Sequence, residues 1–236
     1  NYLAPSPFNP QQSATSIRSG AELNDLDINL ILSFLKQSHP DTPGLQDTLL
    51  LFPKYLPFSS TPRSYQSLFG STDRSRTRRA SLLRRLSPKG LHLLHVTHNH
   101  WILISTLDSS QTTVYDSLSS PSHSEHLTTI LSQTLLPNLS PPYSFLFPPV
   151  PQQSSTRTLE DPILLQRDCG LFALLFAASL IINIPPEHLS PPDQPSLREA
   201  LAQCADQLSS KPLISYACSL QSPTNIPPTP EPPPQL

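Results

Sequence analysis

Residues Gln166–Ile182 read QRDCGLFALLFAASLII. Phe172, Ala173, Phe176, Ala177 and Leu180 recur at helical spacing, and neither Pro nor Gly interrupts Leu171–Ile182. The pattern predicts a buried helix with Cys169 in its first turn. Free backbone N–H groups and the positive end of the helix dipole favour an anion at such a place. A thiol there ionises more readily, and the thiolate is the nucleophile. The same cysteine can equally be a plain core residue, because free Cys is among the most buried residue types. The rest of the chain has to choose between the two.

A chain of 236 residues holds one domain with a sizeable core, or two small ones. Its 30 prolines are roughly 13% of the chain, against a usual value of about 5%. They cluster at the two ends and in a few internal stretches, which predicts loops and tails there. A net charge of −2 gives no electrostatic footprint for nucleic acid or membrane. The three cysteines, Cys169, Cys204 and Cys218, have neither metal nor disulfide spacing, which points to a reducing compartment. The apolar run Leu171–Ile182 is too short to span a bilayer, and no signal peptide is visible. The chain lacks Met and begins at Asn1, as a piece of a longer protein would.

Taken in order, residues 1–19 are rich in Pro, Ser and Gln without periodicity and are expected to be a disordered lead-in. Asn24 or Asp25 can cap a helix that runs through Gln37, with Leu26, Leu30, Ile31, Phe34 and Leu35 as its apolar stripe. Leu45–Pro57 is apolar but broken by prolines, and its type stays open. Ser71–Leu86 is the one basic concentration. It reads as a solvated loop and short helix, or as a docking surface for an acidic partner. Leu91–Val96, Trp101–Leu107 and Thr112–Tyr115 are expected strands. Leu127–Leu136 is an expected helix and Tyr143–Phe147 an expected strand. Pro195–Leu208 is an expected helix with Leu197, Leu201, Cys204 and Leu208 on one stripe. The domain is expected over residues 20–220, with a Pro-rich tail over 221–236.

Four histidines, His92, His95, His98 and His100, fall near the first two strands. Alternation puts His92 and His95 on opposite faces, and no cysteine lies nearby to complete a tetrahedral zinc site. No metal is expected, and no cofactor. Folding the chain back at Asp108–Ser110 brings the start of one strand opposite the end of the next. His100, just before Trp101, and Asp116, just after Tyr115, then meet at one end of the sheet. Such a pair is either a surface polar contact or the base and orienter of a catalytic triad.

A His, an Asp and a Cys in this chain order, with strand–hairpin–strand before a helix led by Asp-Cys-Gly, resemble the ubiquitin-like-protein-specific cysteine proteases. This is the SUMO-protease superfamily, whose site layout is shared with the adenovirus protease. The matching pieces are LND at Leu23–Asp25, HW at His100-Trp101, VYDS at Val114–Ser117 and DCGLF at Asp168–Phe172. GLQ at Gly44–Gln46, HV at His95-Val96 and DQPSLREAL at Asp193–Leu201 resemble a subgroup often carried by animal transposable elements. The resemblance spans about residues 20–218.

The resemblance implies an α+β, papain-like (adenain-like) fold with a mixed central sheet flanked by helices. It implies cleavage of a peptide or isopeptide bond after the diglycine tail of a ubiquitin-like modifier, in the nucleus or cytoplasm. It makes Cys169 the nucleophile, His100 the general base and Asp116 the group that orients His100. Trp101 becomes a wall of the narrow tunnel that holds the diglycine, or else a core aromatic. Two departures stand out. The family's second tunnel Trp, just before LND, is here Glu22. The family's oxyanion-hole Gln stands about six residues before the Cys, and Ile163 falls there. Gln166 is one alternative donor. Gln153, after Val150-Pro151, is another and requires an inserted loop through Leu165.

Two further functions compete. A binding module could keep the fold without turnover, and an acyltransferase could use the same His–acid–Cys order. Only Cys169 is expected to be an activated thiol, most readily alkylated at mildly acidic pH. Cys204 and Cys218 are expected to be structural.

Overall fold

The structure, a computed structural model, describes residues 9–43, 89–96, 100–108, 111–134, 144–153 and 168–221. Its elements run α1 (Pro10–Arg18), α2 (Asp25–Ser38), β1 (Leu91–Val96), β2 (His100–Ser105), β3 (Thr112–Tyr115), α3 (Pro121–Thr134), β4 (Phe145–Leu146), α4 (Cys169–Ile181), a 3-10 turn (Pro186–His188), α5 (Gln194–Gln207) and α6 (Lys211–Ser219). The expectations for Leu45–Pro57, for the basic stretch Ser71–Leu86 and for residues 222–236 lie outside the described residues.

The helix read from Cys169 onward is the axis of the molecule. Every residue from Cys169 to Ser179 is buried. A helix that is apolar all round has no solvent face and must be covered on all sides. Here β2 lies against it, and α2, α5 and α6 surround it. Phe172 and Phe176 stack edge to face at 6.0 Å within its own core stripe.

The sheet has the order β1-β2-β3-β4. The first two pairs are antiparallel, with Leu93↔Leu103 and Leu103↔Tyr115 in register, and β4 joins β3 in parallel. The sheet is therefore mixed, as expected. Leu91, Leu93, Trp101, Leu103 and Tyr115 point into the core around α4. Leu94, Ile102, Ile104 and Val114 turn the other way, onto Leu127 and Leu131 of α3. Helices on both faces explain why HWILIS of β2 reads as one buried run rather than an alternation.

α2 begins where the sequence places it. The Asn24 side chain accepts from the Leu26 and Asp27 amides, and Asp27 returns a bond to the Asn24 N–H. This is a reciprocal cap that satisfies donors otherwise left open at a helix start.

Two expectations need correction. Residues 10–18, expected within a disordered lead-in, form α1. Asn9 caps it, Pro10 takes the first helical position, and Ser13, Ala14 and Ile17 are buried. Arg18 ties it to α5 through Glu199 at 2.9 Å and Asp206 at 2.7 Å. α3 starts at Pro121, six residues before the expected start at Leu127. The Ser120 hydroxyl accepts from the His123 amide, so Ser-Pro acts as the cap and first residue. That early start brings His123 to the sheet end.

Candidate active site

His100 opens β2, Asp116 follows β3, and Cys169 opens α4. The β2–β3 pairing stops at Leu103↔Tyr115, so β2 projects past β3 at its His100–Trp101 end. Residues two apart share a face of a strand. His100 thus lies on the side of Ile102 and Ile104, and Asp116 on the side of their neighbour Val114. His100 Nε2 lies 2.7 Å from Asp116 Oδ1, and the two side chains are 2% and 1% exposed. The Leu118 amide donates to the same Oδ1 at 2.9 Å. Burial works to raise the Asp116 carboxyl. The hydrogen bond from His100, the His123 imidazole beside it, the charge of His100 and the Leu118 N–H outweigh it and hold the carboxyl well below its usual range.

The Cys169 sulfur is fully buried and accepts from the Trp101 amide at 3.3 Å. It therefore sits against the peptide that joins His100 to Trp101. The Trp101 side chain is 6% exposed and belongs to the core around α4.

Burial pushes the Cys169 thiol up to about 12. The charges of Glu22 and Asp116 add to that, while the amides of Trp101 and Gly170 act against it. The amides are there, but removing the sulfur from water costs the anion more than they return. The three thiols also differ in exposure. Cys169 and Cys204 are buried, and Cys218, expected to be structural, is exposed on α6.

The Gly after the Cys has a steric reason. A Cβ on Gly170 would lie 3.2 Å from Leu23 Cβ and 3.1 Å from Ile28 Cδ1. The LND segment is thus packed directly on the first turn of α4, which places Glu22 near the thiol.

Arg198 of α5 locks the same junction. It donates to the carbonyls of Ile17 at 3.1 Å and Ala21 at 2.9 Å, and pairs with Asp168, the residue before Cys169. One guanidinium, rigid and with several donors, fixes three backbone segments.

Of the two alternative donors, Gln166 lies outside the described residues. Gln153 is buried, and its backbone N–H donates to the Ser117 carbonyl at 3.1 Å. Ser117 Oγ donates to Gln153 Oε1 at 3.4 Å. Its neighbour Gln152 donates to the Asp116 carbonyl at 3.2 Å. The PQQ segment is therefore docked beside the His100–Asp116 pair.

Two participants escaped the sequence reading. Arg198 was quoted within DQPSLREAL without a role. His123 was not singled out at all. Its ring lies 5.5 Å from that of His100, and its Nε2 is 3.2 Å from Asp116 Oδ2. The Ser120-Pro121 helix start was the available signal. His92, one of the four histidines weighed for zinc, instead contacts Thr106 Oγ1 at 3.2 Å. Among the described residues, His100, Asp116 and His123 offer ligand atoms within 4.8 Å of one another.

No protein-family model and no curated protein sequence matches the chain. Solved structures do share its architecture. The SUMO protease Ulp1, with its catalytic cysteine oxidised to a sulfenic acid, matches at a TM-score of 0.50 and 18% identity, over 84% of each chain. The C-terminal Ulp1 protease domain in complex with SMT3, the yeast ortholog of SUMO, matches at a TM-score of 0.50 and 16% identity. That match covers 87% of this chain and 82% of the other. The chain has the α+β, papain-like fold that these SUMO protease domains share.

Proposed function

We propose that this chain is a cysteine peptidase and isopeptidase that cleaves after the diglycine tail of a ubiquitin-like modifier. The observation that carries the reading is the buried His100–Asp116 pair at 2.7 Å, next to the backbone amide that holds the Cys169 sulfur. A core cysteine has no need of an imidazole–carboxylate pair at its side.

In this reading Asp116 fixes the ring of His100 through Nε2 and leaves Nδ1 to work. That Nδ1 is buried and makes no hydrogen bond among the described residues. As substrate enters, His100 takes the thiol proton, and the sulfur attacks the carbonyl carbon of the terminal glycine. The imidazolium, stabilised by Asp116, then returns the proton to the leaving amine. Water hydrolyses the thioester. The high resting value of the thiol means that Cys169 stays neutral until His100 accepts its proton. Oxyanion donation falls to Gln153 or Gln166, with the Gly170 amide at the helix start. Trp101 walls the tail-binding tunnel opposite Glu22.

Ulp1 bound to SMT3 supports a modifier of that class as partner. The free cysteines fit a reducing compartment, the nucleus or cytoplasm. The test is hydrolysis of a modifier with a fluorogenic group on its terminal glycine. Cys169→Ala and His100→Ala should each lower turnover by at least about 10³-fold. Turnover that survives Cys169→Ala would refute the proposal.

The buried sulfur and the carboxylate at Glu22 favour a second reading, a module that binds the modifier without cleaving it. Tight binding of the modifier by a wild-type chain without turnover would establish that reading.

A further inference from the structure

We infer that His100, Asp116 and His123 form a binding site for a borderline divalent cation, of which zinc is the type, and that filling it turns the catalytic site off. The binding half rests on geometry alone. The inhibitory half rests on the role proposed for His100.

Asp116 Oδ2 and His123 Nε2 are both buried, and neither makes a hydrogen bond, although they lie 3.2 Å apart. Two buried polar atoms this close without hydrogen-bond alignment leave lone pairs unused. Imidazole nitrogen and carboxylate oxygen bind zinc at about 2.0–2.2 Å, which sets tetrahedral ligand atoms about 3.4 Å apart. The Oδ2–His123 separation of 3.2 Å already fits that spacing. The three residues together offer one ligand atom each within 4.8 Å of one another, and His100 Nε2 is the third ligand atom. Only small side-chain movements bring it in, and they open its 2.7 Å contact with Oδ1. The donor set, two imidazoles and one carboxylate, suits zinc, with the remaining position open to water. The route in passes His123, whose side chain is 26% exposed while those of its partners are 1–2% exposed.

The chemical consequence follows from the tautomers. Neutral His100 that donates through Nε2–H to Asp116 keeps an Nδ1 lone pair for the thiol proton. Zinc needs the Nε2 lone pair, so the ring proton moves to Nδ1. No proton is gained or lost. The ring then has no lone pair with which to deprotonate Cys169, and Asp116 is spent on the metal.

The test is isothermal titration of zinc chloride into the whole, metal-free chain. Wild type should bind one ion. Cys169→Ser should bind it as tightly, and His123→Gln should bind it at least about tenfold more weakly. Failure of wild type to bind, equal affinity in His123→Gln, or loss of binding in Cys169→Ser would overturn the site. Cobalt on the wild type gives a readout independent of any variant's folding. A spectrum of nitrogen and oxygen ligation supports the site, and a thiolate charge-transfer band refutes it. Inhibition is read separately on a fluorogenic modifier. Turnover should vanish at saturating zinc and return with a chelator, whereas full turnover at saturation would overturn the switch and leave the site intact. A chain without turnover refutes the peptidase reading, and the titration still decides the metal site.

Discussion

His100 Nε2 and Asp116 Oδ1 lie 2.7 Å apart in the interior of the protein, and the Leu118 amide secures the same oxygen. The carboxyl that results is held well below its ordinary value of 3.8, because the hydrogen bond to His100 and the His123 imidazole close by overcome the effect of burial. A carboxyl with a depressed folded value binds its proton less readily when folded than when unfolded. Its stabilisation is complete above the unfolded value and is lost as pH falls below it. The wild-type melting temperature should therefore drop between about pH 4 and about pH 2 more steeply than that of Asp116→Asn. Thermal melts across that range check it, and parallel curves would contradict it.

Gly170 is expected to tolerate no side chain without a local shift. Ala gains up to about 1 kcal/mol of helix propensity at best, and less in a first turn. Against this, Leu23 Cβ stands 3.2 Å from the new methyl and is fixed to the backbone. Overpacking of this kind costs about 1–3 kcal/mol. Gly170→Ala should lose about 1 kcal/mol net by chemical denaturation. It should also displace the Leu23–Glu22 segment, visible as a change in reaction rate at Cys169.

Arg198 is expected to matter more than a surface arginine. Its side chain is 13% exposed, and that of Asp168 is 17% exposed. Arg198→Ala removes the pair with Asp168 and the bonds to two carbonyls together. Hydrogen bonds to a charged group contribute about 1.5–3 kcal/mol each when one partner is lost. A loss of at least about 2 kcal/mol in denaturant melts is expected, and Arg198→Lys should recover only part of it, since an ammonium lacks the planar fork. Full recovery by Lys would mean that charge alone matters.

How much of this was legible in the sequence depends on the length scale. The α4 helix, the three antiparallel strands and the meeting of His100 with Asp116 follow from periodicity and one turn. Both are local signals; the α+β, papain-like fold is what the resemblance implies, and it is the one observed. The helix α1 was not legible, because PQQSATSIR buries only Ser13, Ala14 and Ile17, and its stability comes from α5 some 180 positions away (Arg18 with Glu199, a separation of 181). The desolvation of the Cys169 sulfur is set in a similar way. A helix start argues for a thiolate, but the competing desolvation comes from residues that only the tertiary fold assembles around the sulfur. Arg198 acts through partners 30 to 181 positions away, and no local pattern marks it.

The oxyanion donor is one of two points, with Glu22, at which the sequence departs from the pattern its resemblance implies. Gln153 docks on Ser117, one residue from Asp116, while Gln166 stands three residues before Cys169 in sequence. The true donor acts mainly in the transition state. Its substitution by Ala should lower kcat by roughly 10²–10³ with KM nearly unchanged. The other Gln→Ala should be close to silent. Silence of both in a chain that still cleaves would leave the hole to backbone N–H groups.

The central claim is that Cys169 is a nucleophile that works through His100. It is tested most directly with a modifier that ends in diglycine and carries an electrophile at its C-terminus, followed by intact-mass measurement. The wild-type chain should form a single covalent adduct at Cys169. Cys169→Ala should form none, even though Cys218 is the exposed thiol. His100→Ala should react at least about 10²-fold more slowly. An adduct at Cys218, or equal rates with and without His100, would contradict the account.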